Sequence, residues 1–400
     1  MVCRLITLQP SMRGQGAFAQ YGMQAEHAAA VNTRAGGMTG DGCCPGREPE
    51  MLKIEEIVSR GAQSGVSDIH IVEGVPVKGR VDGRFMDLTN EPLTDEDCQT
   101  IARQLEEGGQ EHLGKIGQLD LARTIAGSRV RINLFRQRGH ISAALRILSD
   151  HIPDLRSLGL PPAALTFPSY QKGIVLVTGE TGSGKSTTLA AILDEINHTR
   201  QEHIITLEDP VEYIYTMDKC IINQREIGTD TESYEAGLRA ILREDPDVIL
   251  IGEMRDPSSM ETAMTAAETG HLVFATLHTN SAPESVDRIV DTFPAERQQQ
   301  IRMQLSVTLK AILSQQLLIR KGGKGRIVAC ECMINTPAIA NLIRENKTPQ
   351  MYSSMLSSAN LGSITMDNCL LRMVTEGSID SKTALEAAND KAYLQKKLMF

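Results

Sequence analysis

Tryptophan is missing from all 400 residues, and aromatic side chains together make up only 4%. A surface that stacks the bases of single strands needs such rings. The net charge of -9 exerts no general pull on a polyanion either, so nucleic acid is a poor candidate for a substrate. Long apolar runs are missing too. The longest, around 174–177 and 248–251, fall far short of the roughly 20 residues a helix needs to cross a bilayer, and they read as buried strands. Any membrane role is expected to run through partners. None of the eight cysteines forms a Cys-x-x-Cys pair, which removes the usual zinc spacing and leaves reduced cytosolic thiols as the expectation. Cys330 and Cys332 alternate along an expected strand and face one side, where core packing is favoured over a metal pair.

What is present is an ordinary soluble-type composition, 41% hydrophobic and 23% charged, with length for two or three domains. Residues 1–50 are rich in Gly, Ala and Gln, lack periodicity and end in the breaker cluster Gly40-Asp41-Gly42-Cys43-Cys44-Pro45-Gly46. They read as a disordered extension, or as an artefact if Met51 is the initiator. From 51 to 150 the pattern predicts a small α+β domain: a helix face at Leu52, Ile54, Ile57, Val58 and Ala62, short strands around 69–77, a helix over 95–106, and strands over 118–125, 129–135 and 141–148. The Pro-rich stretch 151–168 predicts a linker. Between 169 and 335, buried-type strands at 174–178, 203–207, 248–252 and 271–277 alternate with helical segments at 186–197, 234–243 and 258–268, the signature of a parallel sheet covered by helices. Beyond Pro294 the expectation is mostly helix, with a hairpin over 317–332 turning at 322–325, and 336–400 is expected to be a helical C-terminal region.

The run Gly179-Glu180-Thr181-Gly182-Ser183-Gly184-Lys185-Ser186 fits G-x-x-x-x-G-K-[ST] directly after an apolar strand. Small residues let backbone N–H groups converge on phosphates, the following helix presents its positive end, Lys185 reaches the outer phosphates and Ser186 can ligate Mg2+, with Thr187 beside it. The expected ligands are therefore ATP and Mg2+. Three more segments deliver chemistry to the same strand ends. Glu253, after the apolar strand 248–251, is the first choice for a catalytic carboxylate that also assists the metal. Glu208 ends another apolar strand and can position water or metal, while Asp209 suits a turn. His271 and His278 bracket a strand and are assigned phosphate-sensing roles. Arg129, Arg131, Arg136 and Arg138 crowd one strand, either as solvated edge charge or as fingers reaching a nucleotide on a neighbouring domain or subunit. Arg131 and Arg138 are the two assigned to the nucleotide. Arg239, Arg243 and Arg255 compete for that role.

Taken together, GETGSGKSTT at 179–188, ITLEDPVEY at 205–213, DPDVILIGEMRD at 245–256 and TGHLVFATLHTN at 269–280 resemble the Walker A, Asp, Walker B and His boxes of the secretion-superfamily ATPases, over about 51–394. Gly65-Val66-Ser67-Asp68-Ile69-His70 and Gly79-Arg80-Val81-Asp82-Gly83 are similar to that family's PAS-like N-terminal domain. The resemblance implies a RecA-like P-loop ATPase core with a smaller PAS-like α+β domain, a homohexameric ring at the inner face of the cytoplasmic membrane, and an inner-membrane pilus platform protein as partner. The segment Ala338-Ile339-Ala340-Asn341-Leu342-Ile343-Arg344-Glu345 resembles the C-terminal motif of the pilus-retraction branch, which normally carries Arg where Ala340 stands. The long N-terminal domain and four-cysteine motif typical of the extension and secretion branches do not appear. Retraction is the expectation; pilus assembly, DNA uptake or secretion are same-class alternatives, and a nucleotide-binding scaffold without turnover is the alternative of another class.

Overall fold

The computed structural model describes residues 53–81, 84–106, 113, 117–148, 151–323 and 325–399. The expected extension 1–50, Met51 as initiator, and Asp82-Gly83 lie outside them.

The first sheet is antiparallel throughout. Its elements are α1 (Ile54–Gln63), β1 (Asp68–Ile71), β2 (Lys78–Val81), β3 (Arg84–Asp87), α2 (Asp95–Glu106), β4 (Gln118–Ile125), β5 (Ser128–Gln137) and β6 (His140–Ile147), with strand order β3-β2-β1-β6-β5-β4. Period-two alternation decides which side of β5 is buried. Val130, Ile132 and Leu134 enter the core with Ile57 and Val58 of α1 and Ile101 and Leu105 of α2. Arg129 and Arg131 alternate with them along the strand.

Two short 3-10 turns, Leu155–Leu158 and Ala164–Ser169, occupy the stretch expected to be a linker. Their Leu155 and Phe167 pack under the first helix of the second sheet. That sheet is built from β7 (Gly173–Thr178), α3 (Lys185–Thr199), β8 (His203–Glu208), β9 (Ile221–Glu226), α4 (Tyr234–Ile241), β10 (Val248–Ile251), α5 (Pro257–Glu268), β11 (Leu272–Leu277), α6 (Ala282–Asp291), α7 (Ala295–Thr308), β12 (Leu309–Ile319) and β13 (Arg326–Ile334). The strand order is β13-β12-β7-β11-β10-β8-β9. Every neighbour pair is parallel except β12 with β13. Strands β7, β10 and β11 are buried along their whole length, as expected of parallel strands covered on both faces. One face packs on α3, the other on α4, α5, α6 and α7.

Past β13 the described residues form the α-helices α8 (Pro337–Arg344), α9 (Met351–Ser357), α10 (Met366–Thr375), α11 (Ser381–Ala387) and α12 (Lys391–Leu398). Among the described residues, no helix is long and apolar enough to cross a membrane. The expected helical continuation past Pro294 stops at Thr308, and the hairpin is longer than its turn signal suggested. Leu309, Ile312, Leu313 and Leu317 are spaced like one face of a helix, yet most of β12 is buried between β7 and β13, and burial on both faces erases the period-two signal. Cys330 and Cys332 sit buried in the core beneath α3, so packing accounts for both.

Candidate nucleotide site at the strand ends

Because β7, β8, β10 and β11 are parallel, their C-terminal ends open on one edge, where ligands bind in sheets of this kind. Glu208 ends β8 itself, and the segments after β7, β10 and β11 carry the phosphate loop, Glu253 and His278. Backbone geometry explains the loop's glycines. Gly179 has φ of 140°, and a Cβ there would lie 2.3 Å from the Gln315 carbonyl and 2.6 Å from Ser183 Oγ. Gly184, at φ of 92°, caps α3 in the left-handed region that glycine adopts freely. Glu180, Thr181 and Gly182 are exposed between them.

Lys185 is buried, and its Nζ donates to the carbonyls of Gly179 at 2.7 Å and Glu180 at 2.9 Å. Burial lowers its pKa, against the pull of Glu253 and Glu212. Two buried polar atoms at this edge, Ser183 Oγ and Gln315 Oε1, have no hydrogen-bond partner among the described residues. Both residues line a cavity of about 340 Å³ with Glu180, Gly182, Leu317 and Arg326. Gln315 Nε2 donates to Thr188 Oγ1 at 2.9 Å. A cradle with no room for a Cβ, an internal lysine and an orphaned hydroxyl fit a polyphosphate. The donors Ser186, Glu208 and Glu253 are hard oxygens, which suits Mg2+. The Thr187 hydroxyl is already engaged with Tyr213 Oη at 2.9 Å.

The two carboxylates differ in environment. Glu253 pairs with Arg255 at 2.7 Å and lies 3.3 Å from His278 Nε2. Burial raises its pKa, but the Arg255 and His278 contacts outweigh that and hold the carboxyl below its ordinary range. Glu208 accepts from Thr206 Oγ1 at 2.7 Å. There burial dominates the opposing bonds from Thr206 and Gln224, and the carboxyl is pushed up to about 7.

The fold separates other residues that the sequence grouped. His271 precedes β11 at the far edge of the sheet, six strand residues or about 20 Å from His278, and its Nδ1 contacts the Ala266 carbonyl at 2.8 Å. Within this chain it is remote from the phosphate loop. Arg131 is exposed on β5, and Arg138 sits at φ of 51° in the turn to β6. Among the described residues, neither bonds to the loop. Arg239 pairs with Glu235, and Arg243 donates to the Arg239 carbonyl. Gln315 and Tyr213 escaped sequence reasoning, because Gln315 meets Thr188 across 127 positions and no local pattern encodes that distance.

A family model described as type II/IV secretion system protein matches residues 46–379. The chain belongs to that family. Among its relatives in the secretion family, PilT, the type IV pilus retraction ATPase of Pseudomonas aeruginosa, is 43% identical over 339 residues, 84% of this chain and 98% of PilT. The uncharacterized protein YggR of Escherichia coli K12 is 44% identical over 330 residues, 82% of this chain and 100% of YggR. A crystal structure of the pilus retraction motor PilT with bound ADP matches with a TM-score of 0.78 at 45% identity, covering 86% of this chain and 99% of that one.

Proposed function

We propose that this chain is an ATP-hydrolysing motor that powers retraction of a type IV pilus, working as a Mg2+-dependent homohexamer against an inner-membrane platform protein. The observation that carries the reading is the meeting of the phosphate loop, Glu208, Glu253 and His278 at one sheet edge, in a chain whose likeness to PilT covers 84% of this chain and 98% of PilT. The antiparallel sheet is read as the PAS-like domain of residues 51–150, followed by a linker at 151–168, a RecA-like core at 169–335 and a helical region at 336–400. The ring is read as lying against the inner face of the cytoplasmic membrane through its partner.

In this reading the amides of 179–184 and Lys185 hold the phosphates, and Ser186 and Glu253 hold Mg2+, whose charge offsets that of the phosphates when bound. Glu253 is kept ionised by Arg255 and His278, so it can orient a water and accept its proton. Glu208 supports that water, and His278 reports the terminal phosphate through its contact with Glu253. Arg131 and Arg138, exposed on this chain, are read as reaching a nucleotide held by a neighbouring subunit. His271 is left with the backbone at the far edge. Domain motion then follows from unequal binding, since a nucleotide shifts an equilibrium only by its difference in affinity for the two arrangements.

Glu253→Gln tests this directly. Nucleotide affinity should be retained while turnover falls by about a hundredfold or more, measured by titration with labelled ADP and by phosphate release. Unchanged hydrolysis would remove Glu253 from the chemistry.

A further inference from the structure

One arginine of the crowded strand leaves its own sheet. Arg129 Nη2 donates to Glu226 Oε2 at 2.8 Å, and Arg129 Nε donates to the Val211 carbonyl at 3.2 Å. The same Glu226 oxygen accepts the Val211 N–H at 3.1 Å, which closes a ring of guanidinium, carboxylate and peptide. The two charged side chains are only 16% and 13% exposed, and Val211 is buried. The position is as telling as the burial. Glu226 ends β9 in register with Glu208, which ends β8, and Val211 lies three residues beyond Glu208. The Ile227 N–H also donates to the Glu208 carbonyl at 2.9 Å. The segment leaving Glu208 is thus held from both sides, and the outer clamp is a residue of the antiparallel sheet.

We infer that Arg129 is a positioning residue for hydrolysis: through Glu226 and Val211 it registers the antiparallel sheet against the segment that carries Glu208. The inference rests on the proposed role of Glu208 in turnover. A guanidinium suits this place because its fixed fork meets a carboxylate and a carbonyl at once, which a lysine cannot do. Removing it leaves Glu226 buried without its cation, and that is costly. Small displacements of a catalytic group cost as much as about a hundredfold in rate. Movement of the antiparallel sheet would thereby be felt at Glu208 without any contact to nucleotide.

The test is steady-state ATP hydrolysis by the full chain with Arg129→Ala, Glu226→Gln, their double variant, and Arg129→Ala combined with Glu208→Gln, alongside melting curves and ADP affinity. Each single change should lower kcat by roughly ten- to a hundredfold, with KM for ATP and the ADP affinity nearly unchanged. The double variant should be no slower than the worse single one, since the two residues act as a unit. Arg129→Ala should cost nothing further once Glu208 is Gln. Glu226→Gln keeps an oxygen for the Val211 N–H and serves as the decisive arm if Arg129→Ala does not fold. Unchanged kcat, multiplying losses in either combination, or a KM that rises in step would overturn the inference. Absence of turnover in the wild type would sink the motor reading itself, whereas normal turnover in both wild type and Arg129→Ala would sink this inference alone.

Discussion

Glu208 and Glu253 are the same residue type at the same edge of the same sheet, yet their pKa values are shifted in opposite directions. Environment sets the two apart: burial dominates at Glu208, cationic partners at Glu253. Glu208 is the more informative for pH. In the folded chain it keeps its proton to about pH 7, whereas its ordinary value is 4.5. The folded state therefore binds more protons between those values. Its contribution to stability is full below about 4.5 and is lost as pH rises through 7. Hydrolysis, which in the proposed mechanism uses the carboxylate, should rise with pH over the same interval. A pH–rate profile should show an ascending limb near 7 that Glu208→Gln flattens. In parallel melting curves, Glu208→Gln should gain on the wild type as pH goes from about 5 to 8. A limb that survives the substitution would assign the titration to another group.

At the scale of elements, the phosphate loop and β12 make one unit although 136 positions separate Gly179 from Gln315. Gly179 lies against the Gln315 carbonyl so closely that Gly179→Ala must displace either the loop or the strand. The substitution is expected to abolish nucleotide binding in a titration and to lower the melting temperature by several degrees, as a loss of about 1–3 kcal/mol would. Retained binding with an unchanged melting temperature would mean that the loop has slack the structure does not show. The loop and the strands before Glu208, Glu253 and His278 were legible because each is coded locally: apolar residues, then glycines or an acid at a fixed offset. β9 and the first half of β12 were not. The apolar run of β9 ends after Ile222, where Asn223, Gln224, Arg225 and Glu226 follow, and β12 mimics a helix until its partners are placed beside it. The expected parallel sheet put His278 at the loop end of its strand, and a phosphate role for His271 as well would have to reach from the opposite end, about 20 Å away.

For the whole molecule, the proposed ring makes a prediction about subunits in mixture. Arg131 and Arg138 have no bond to the loop of their own chain among the described residues, and the proposed mechanism has them act on a nucleotide of a neighbouring subunit. Lys185→Ala and Arg131→Ala should each be inactive alone, yet mixed rings should recover part of the hydrolysis, because a Lys185→Ala subunit can lend its arginine to the intact loop of an Arg131→Ala neighbour. Size measurement by sedimentation checks that the mixture assembles. No recovery in assembled mixed rings would return Arg131 to the solvated face it occupies on β5.

Local order along the chain was enough to establish the phosphate loop, the apolar strands that deliver Glu208 and Glu253, and the alternating βα pattern, because glycine conformations, apolar runs and capping residues act over a few neighbouring positions. The choice among four arginines on one strand was beyond it. Arg129 turns to Glu226 and Val211 while Arg131 stays in solvent, and that outcome depends on how two sheets far apart in sequence meet and on which guanidinium finds a buried carboxylate there. Electrostatic partners of this kind are chosen by three-dimensional distance, so the tertiary structure alone decided them.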